Sequence, residues 1–332
     1  MSAQVYDCLV LGGGQAGLAT GYYLRRKGLN FAILDAESRP GGAWLHTWPS
    51  LTLFSTSSAS NLPGWPMPYH EGFPPASHVV DYLTRYEERY ELPVRRPFMV
   101  ESVEHDGEFF HVYSSTERLM ARTVVAATGT WRAPFIPYYP GKFAGTQWHS
   151  AIYPGVAEFS GSRVAVVGAA NSGAQLAADL LLEGISTTWL TRGEPRWMPD
   201  DVDGRVLFRR NRERLNAINR GEPDPGADTN LGDIVMVPPV LKARDEGLLR
   251  ATPMPNSLDD INADHLIWAT GFRPALRPIS RLLVDRQPTV PGLFLVGFGT
   301  WTGPGSATIT GVSPFAKQAA ADVASFIKGQ ID

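Results

Sequence analysis

Val5-Tyr6-Asp7-Cys8-Leu9-Val10-Leu11 followed at once by Gly12-Gly13-Gly14-Gln15-Ala16-Gly17 decides the fold of this chain. The first seven residues form a short, mostly apolar run suited to a strand buried on both faces, and a helical pattern ending at Gly28 follows the glycines. Residues 31–34 supply a second strand, and Asp35 stands at its end, 18 residues after Gly17. A carboxylate there can accept hydrogen bonds from a ribose diol. Gly12 permits the tight turn, Gly14 lets a pyrophosphate approach the backbone, and Gly17 lets helix and strand pack closely while the helix N-terminus faces the anion. A lone glycine motif is a weak signal. Strand, loop, helix and acid in register make a dinucleotide-binding βαβ unit.

The same grammar recurs between Arg163 and Arg192. Strand 164–167 leads into Gly168-Ala169-Ala170-Asn171-Ser172-Gly173, a helix closed by Gly184, and strand 187–190. Ala170 replaces the middle glycine, which implies a slightly less intimate approach to the phosphates. Counting 23 positions from the first glycine reaches Asp35 in one unit and Thr191 in the other, with Arg192 next. An acid at that place repels a 2′-phosphate, whereas a small polar residue plus arginine can bond and neutralise it. The first loop is therefore assigned to FAD and the second to NADPH, with NADH use left open. The alternative for Arg192 is a solvated surface residue.

Length and composition agree. A chain of 332 residues with 43% hydrophobic content can bury a sizeable core in about two domains. The 30 basic and 33 acidic residues nearly cancel, and no basic run exceeds Arg25-Arg26-Lys27, so neither nucleic-acid nor membrane-surface binding is expected. The one cysteine, Cys8, excludes a disulfide framework, a cysteine-rich metal site and an intramolecular redox dithiol; no metal is expected. The sequence reads as a soluble, unprocessed cytoplasmic protein without a leader or a span. A homodimer is expected from symmetry base rates.

Further along, Gly41-Gly42-Ala43-Trp44 suits close backbone approach on the flavin side, although Trp44 could equally be a core aromatic. Residues 51–75 read as a shaped loop near the isoalloxazine, residues 79–90 as an amphipathic helix with Val80, Leu83, Tyr86 and Glu87 at helical spacing. Residues 94–103 and 109–113 read as an antiparallel strand pair, and 123–127 as a strand before Thr128-Gly129-Thr130. Ala127-Thr128-Gly129 is echoed by Ala269-Thr270-Gly271 after strand 265–269, each marking the exit of one nucleotide unit. Residues 200–238 are a long polar stretch inside the insertion. Strand 292–297 and Gly303-Pro304-Gly305-Ser306 lead into a helix over 311–328, whose start can present amides to the flavin pyrimidine oxygens. The expected fold is α/β: two Rossmann-like dinucleotide-binding domains, with the NAD(P)H domain (159–272) inserted into the FAD domain (1–154 and 274–332).

Between the two loops lies Phe143-x-Gly145-xxx-His149-xxx-Tyr153. With GGGQAG, LDAE, GGAW, VVGAANSGAQ, ATGF and GLFLVGFG in order, the chain resembles the class B flavin-dependent monooxygenases over nearly its whole length, most closely the small bacterial members that oxidise sulfides and some ketones. The resemblance implies that NADPH delivers hydride to the flavin, O2 adds at C4a, and the adduct oxygenates a small nucleophile by sulfoxidation, N-oxidation or Baeyer-Villiger oxidation. Tyr153 in place of tryptophan leans towards heteroatom oxidation. Asn61, in Ser60-Asn61-Leu62-Pro63, looks like the family's asparagine beside the flavin, or else a turn residue. His149 is a candidate acid or base, with a structural or gating role favoured; Phe143 and Gly145 read as packing and turn positions. The FAD site is expected to use Gly12, Gly14, Gln15, Ala16, Gly17, Asp35, Ala36, Gly42, Ala43, Trp44, Thr128, Gly129, Gly297 and Thr308. The NAD(P)H site is expected to use Gly168, Ala170, Asn171, Ser172, Gly173, Thr191, Arg192, Thr270 and Gly271. A disulfide reductase shares the architecture but needs a cysteine pair. An NAD(P)H oxidase or flavin reductase releasing hydrogen peroxide stays open.

Overall fold

The fold is taken from a computed structural model and covers residues 4–226 and 232–329. β1 (Val5–Leu11), α1 (Gln15–Arg26) and β2 (Phe31–Leu34) form the expected opening unit, with Cys8 to Leu11 paired in parallel to Phe31 to Leu34. Both strands are buried at this pairing, which is why their sequences are continuous apolar runs. α2 (Ala76–Arg89) packs Val79, Tyr82, Leu83 and Tyr86 into the core. The helix was expected to carry Val80 and Glu87 on its inward stripe; Glu87 instead receives a two-pronged bond from Arg96 at 2.6 and 2.8 Å, and that charge pair turns it out of the apolar face.

The strand expected over 94–103 is two strands. β3 (Val94–Arg95) extends the edge of β2 in parallel, whereas β4 (Ser102–His105) pairs antiparallel with β5 (Phe110–Tyr113). Pro97 has no amide to donate to a ladder, so the first piece cannot run on. β6 (Arg118–Ala126) is long enough to pair with β1 along one side and, on the other, with β5 at its start and with a C-terminal strand at its end.

β7 (Thr146–His149) and β8 (Arg163–Val167) open the second sheet. α3 (Asn171–Leu182), β9 (Ser186–Thr191), α4 (Gly204–Asn219), α5 (Pro238–Asp245), β10 (Ala251–Pro253) and β11 (His265–Trp268) complete the second unit. Its order is β10-β9-β8-β11-β7, with every pair parallel. β7 lies in the signature segment, on the first-unit side of the boundary expected at 154, and by hydrogen bonding it is an edge strand of the second sheet. The hairpin β12 (Leu283–Val284) and β13 (Gln287–Pro288), then β14 (Leu293–Leu295) and α6 (Ser313–Lys328), return the chain to the first unit. There β14 pairs in parallel with β6 and α6 packs on α1. The first sheet runs β3-β2-β1-β6-β5-β4 with β14 beside β6. No helix among the described residues is long and apolar enough to cross a membrane.

The two segments joining the units cross antiparallel. Phe135 N donates to Gly271 O (2.9 Å), Arg273 N to Ala133 O (2.8 Å) and Ala275 N to Gly129 O (2.9 Å). Thr128 Oγ1 donates to Ala275 O at 2.8 Å, and Thr270 Oγ1 reciprocates on Phe135 O at 2.5 Å. Trp131 stacks on Phe272 with centroids 5.0 Å apart.

Both nucleotide loops are built alike. Gly12 and Gly168 take positive φ (109° and 144°), where a side chain would collide with the carbonyl oxygen of Ala127 or Ala269 respectively. Gly17 and Gly173 lie so close to Gly12 O and Gly168 O that no Cβ fits. Gly173→Ala is therefore expected to cost about 1–3 kcal/mol through overpacking. Urea denaturation checks this; a change under about 0.5 kcal/mol, the scale of a neutral surface substitution, contradicts it.

Candidate functional site

Gly14 precedes α1 and Ala170 precedes α3 as the N-cap residue, and neither helix has a side chain capping its first turn. Capping normally satisfies one of the orphan amides at a helix start; here the amides are left for an external anion. A Cβ added at Gly14 would meet nothing within 4 Å, and Ala170 is exposed, so both loops are open where a pyrophosphate would approach. These features fit a dinucleotide at each loop.

Around the first loop, Asp35 is 3% exposed and its carboxylate lies against Gly13. Its oxygens accept from Arg96 Nε (2.9 Å) and Glu37 N (3.2 Å). Arg96, which the sequence reading missed, is itself held by Glu87, so the acid is oriented by a buried chain of charges at the rim of the loop. Gln15 joins three segments: Trp44 Nε1 donates to its Oε1 at 3.0 Å, and its Nε2 donates to Ala307 O at 2.5 Å. Trp44 is thus both partly buried packing and a hydrogen-bonding bracket. Gly42 crowds Gly14 and Gly297 crowds Ala16, so a Cβ at either would overlap the loop. Ala43 follows in the same turn, Gly42–Leu45, and Ala36 is half-buried just past Asp35. Thr128 and Gly129 lie in the crossing, where the Thr128 hydroxyl is bonded to protein.

Around the second loop, Asn171 Oδ1 accepts from Val235 N (2.9 Å), and Ser172 is half-buried in the first turn of α3. Thr191 is buried at the end of β9; Arg192 is exposed beside it and makes no ion pair with a described residue. Thr270 and Gly271 belong to the crossing.

Asn61 is held by its own loop. Its Nδ2 donates to Ser58 O and its Oδ1 accepts from Met67 N, both at 2.8 Å, which leaves one amide hydrogen uncommitted. Its backbone N donates to Thr310 Oγ1 (2.8 Å). Tyr82, not singled out in the sequence, and Tyr86, read there only as a helix-face residue, fix the same turn: Tyr82 OH accepts from Leu62 N and donates to Trp65 O, and Tyr86 OH donates to Pro63 O. Thr308 Oγ1 closes the neighbouring turn by donating to Gly305 O (2.8 Å). Asn61, Thr308 and Thr310 line a cavity of about 360 Å³ whose opposite wall is α4. Phe208, Asn211, Arg212 and Leu215 form that wall; their i, i+3, i+4, i+7 spacing was the signal available in the polar stretch.

All four anchors of the signature hold the second unit in place. Phe143 is in its core, Gly145 abuts Asp264 O, and Tyr153 OH donates to Asp179 while its ring stacks on Phe159. Burial pushes the Tyr153 phenol up and the Asp179 carboxyl up. His149 is 4% exposed; its Nδ1 accepts from Ala151 N (3.1 Å), so its Nε2–H donates to Gly271 O (3.0 Å). Both ring nitrogens are engaged, and burial lowers its pKa, keeping the ring neutral.

A family model described as pyridine nucleotide-disulphide oxidoreductase matches residues 9–297. A flavin-containing monooxygenase from Stenotrophomonas maltophilia is 43% identical with a TM-score of 0.85, and a double variant of a flavin monooxygenase from that organism gives 0.86 at the same identity; each match covers 98% of this chain and 99% of the other. An uncharacterized CzcO-like oxidoreductase of Geobacillus kaustophilus is 30% identical over 96% of this chain and 98% of its own. The chain belongs to the pyridine nucleotide-disulphide oxidoreductase family, and within it to the flavin-containing monooxygenases. It is an oxidoreductase whose cofactors are FAD and NADPH.

Because the folded protein disfavours protonated His149, this group's stabilising contribution is complete above about pH 6.5 and is lost as pH falls through its lowered folded-state value. His149→Gln is expected to flatten the fall in unfolding free energy between pH 7 and 5. Parallel profiles for the two proteins would show that His149 does not titrate against the fold.

Proposed function

We propose that this chain uses NADPH and O2 to oxygenate small nucleophilic molecules, thioethers first, with amines and ketones as further substrates. The observation that carries this reading is the state of the single cysteine. Cys8 is fully buried inside β1, and burial pushes its thiol up to about 12. A thiol so placed is inert, and it has no partner with which to form a disulfide. The chain therefore lacks the internal disulfide through which a reductase of this family would pass electrons, which favours O2 as acceptor.

The roles follow from the residues. The α1 amides would hold the FAD pyrophosphate and Asp35 its ribose, with the orienting bond from Arg96 preserving its geometry. The α3 amides would hold the NADPH pyrophosphate, while Thr191 and Arg192 bind the 2′-phosphate; Arg192 is free to do so because no described residue neutralises it. FAD, when bound, supplies hydride acceptance and oxygen activation. Asn61 would orient its remaining amide hydrogen into the cavity, and His149 would serve as a neutral strut of the crossing rather than an acid or base. A cytoplasmic homodimer is the setting we infer, in keeping with a lone buried thiol and with symmetry base rates.

With methyl phenyl sulfide, the sulfoxide formed should nearly equal the NADPH consumed. Peroxide matching NADPH, with or without sulfide, would identify an oxidase instead. Arg192→Ala should raise the NADPH KM by roughly tenfold or more, the scale of a lost charge-assisted contact, and change the NADH KM far less. Equal effects on both would overturn the phosphate role.

A further inference from the structure

The cavity between α4 and the Asn61 turn carries one formal charge. Its floor and one wall come from the first unit: Asn61, Leu62 and Pro63, with Thr308, Thr310 and the start of α6. Its other wall is the α4 face Phe208, Asn211, Arg212 and Leu215. Among the lining residues Arg212 alone is ionisable, and no carboxylate faces it there.

Most of the other arginines of this helix are engaged, whereas Arg209, exposed and outside the cavity lining, has like Arg212 no ion pair among the described residues. Arg205 pairs with Asp203, Arg214 with Asp224 and Arg220, the helix C-cap, with Glu222, each at 2.7 Å. Arg210 also has an interaction. Arg212 has no ion pair among the described residues and is exposed at the cavity mouth, so its head stays hydrated until a ligand arrives. The helix is fixed in place around it: Gly204 N donates to Phe54 O (2.7 Å), the Phe54 and Phe208 rings pack 6.3 Å apart, and Asn211 fills the space over Gly305. An unpaired guanidinium on the same cavity lining as apolar Phe208, Leu62 and Leu215 makes an amphipathic receptor: a fork for a carboxylate next to a surface for a hydrocarbon or ring.

We propose that the substrate of this site is an organic anion, a carboxylate-bearing thioether or related nucleophile, with Arg212 binding the carboxylate as a specificity-determining residue. This rests on the monooxygenase reading above and names its substrate class. The carboxylate would take a two-pronged bond from Arg212 at the mouth, and the apolar part of the molecule would lie deeper, along Phe208 and Leu62.

The test uses the FAD-loaded enzyme with (phenylthio)acetate and methyl phenyl sulfide as paired substrates. Wild type should show kcat/KM for the anion at least about tenfold above that for the neutral sulfide, the scale of one charge-assisted contact. In Arg212→Gln that ratio should fall at least about tenfold, through KM, while Arg209→Gln, exposed on the same helix but away from the cavity, keeps it. Calorimetric titration with phenylacetate, which lacks the sulfur, separates binding from turnover: the wild type should bind it and Arg212→Gln should bind at least about tenfold more weakly. If neither sulfide is oxygenated yet phenylacetate binding depends on Arg212, the monooxygenase reading falls and the anion site stands. An unchanged ratio in Arg212→Gln, equal loss with Arg209→Gln, or phenylacetate binding indifferent to Arg212 would overturn the proposal.

Discussion

The antiparallel crossing between residues 129–135 and 270–275 is the constraint on which the rest of the molecule depends. A chain that leaves one sheet, builds another and returns must satisfy the backbone groups of both connectors where they meet. Here each connector satisfies the other. Phe135, Arg273 and Ala275 donate across, and the Thr128 and Thr270 hydroxyls each bond the opposite strand. Each bond is worth about 1 kcal/mol net, but leaving a buried partner unmade would cost more, so the set is cooperative. Gly271 O accepts from Phe135 N and from His149 Nε2, which ties the edge strand β7 to the crossing.

The echo of Ala-Thr-Gly in the two halves has a physical meaning that its sequence alone hides. In each half the alanine carbonyl is the surface against which the first glycine of the nucleotide loop turns, and the threonine is the first residue to reach the other connector. One tripeptide therefore closes a nucleotide loop and starts the crossing. Thr128, Gly129, Thr270 and Gly271, expected from the sequence as cofactor contacts, adjoin the two loops. The hydroxyls themselves are spent on the chain.

What could be read from the sequence was whatever is local. A buried strand, a glycine turn and a helix carry their signals within about thirty residues, so β1-α1-β2 and β8-α3-β9 emerge almost residue for residue. Asp35 was visible for the same reason. Arg96 was not, because its partnership with Asp35 and Glu87 spans separate elements and leaves no periodic trace. The signature Phe143 to Tyr153 lies at the end of the first unit as expected from sequence, 1–154. Its strand pairs with β11, over a hundred residues on, and no local pattern announces a parallel edge strand of four residues. α4 was hidden by its own composition: six arginines in seventeen positions (204–220) read as part of a polar stretch, although its inward face is regular.

α4 bridges the two units. It is encoded within the second unit, between β9 and β10, yet it is hydrogen-bonded to Phe54 and packed on Gly305, both of the first. The cavity is thus walled by both units and belongs wholly to neither. A displacement of the second unit about the crossing would move Phe208 and Arg212 relative to Asn61 and Thr310. The nucleotide loop of α3 and this wall are tied together through Asn171, whose carboxamide holds Val235, and through the bridge between Trp197, before α4, and Ile234, after it. A ligand that binds one arrangement of the units better than another shifts their population by that difference in affinity.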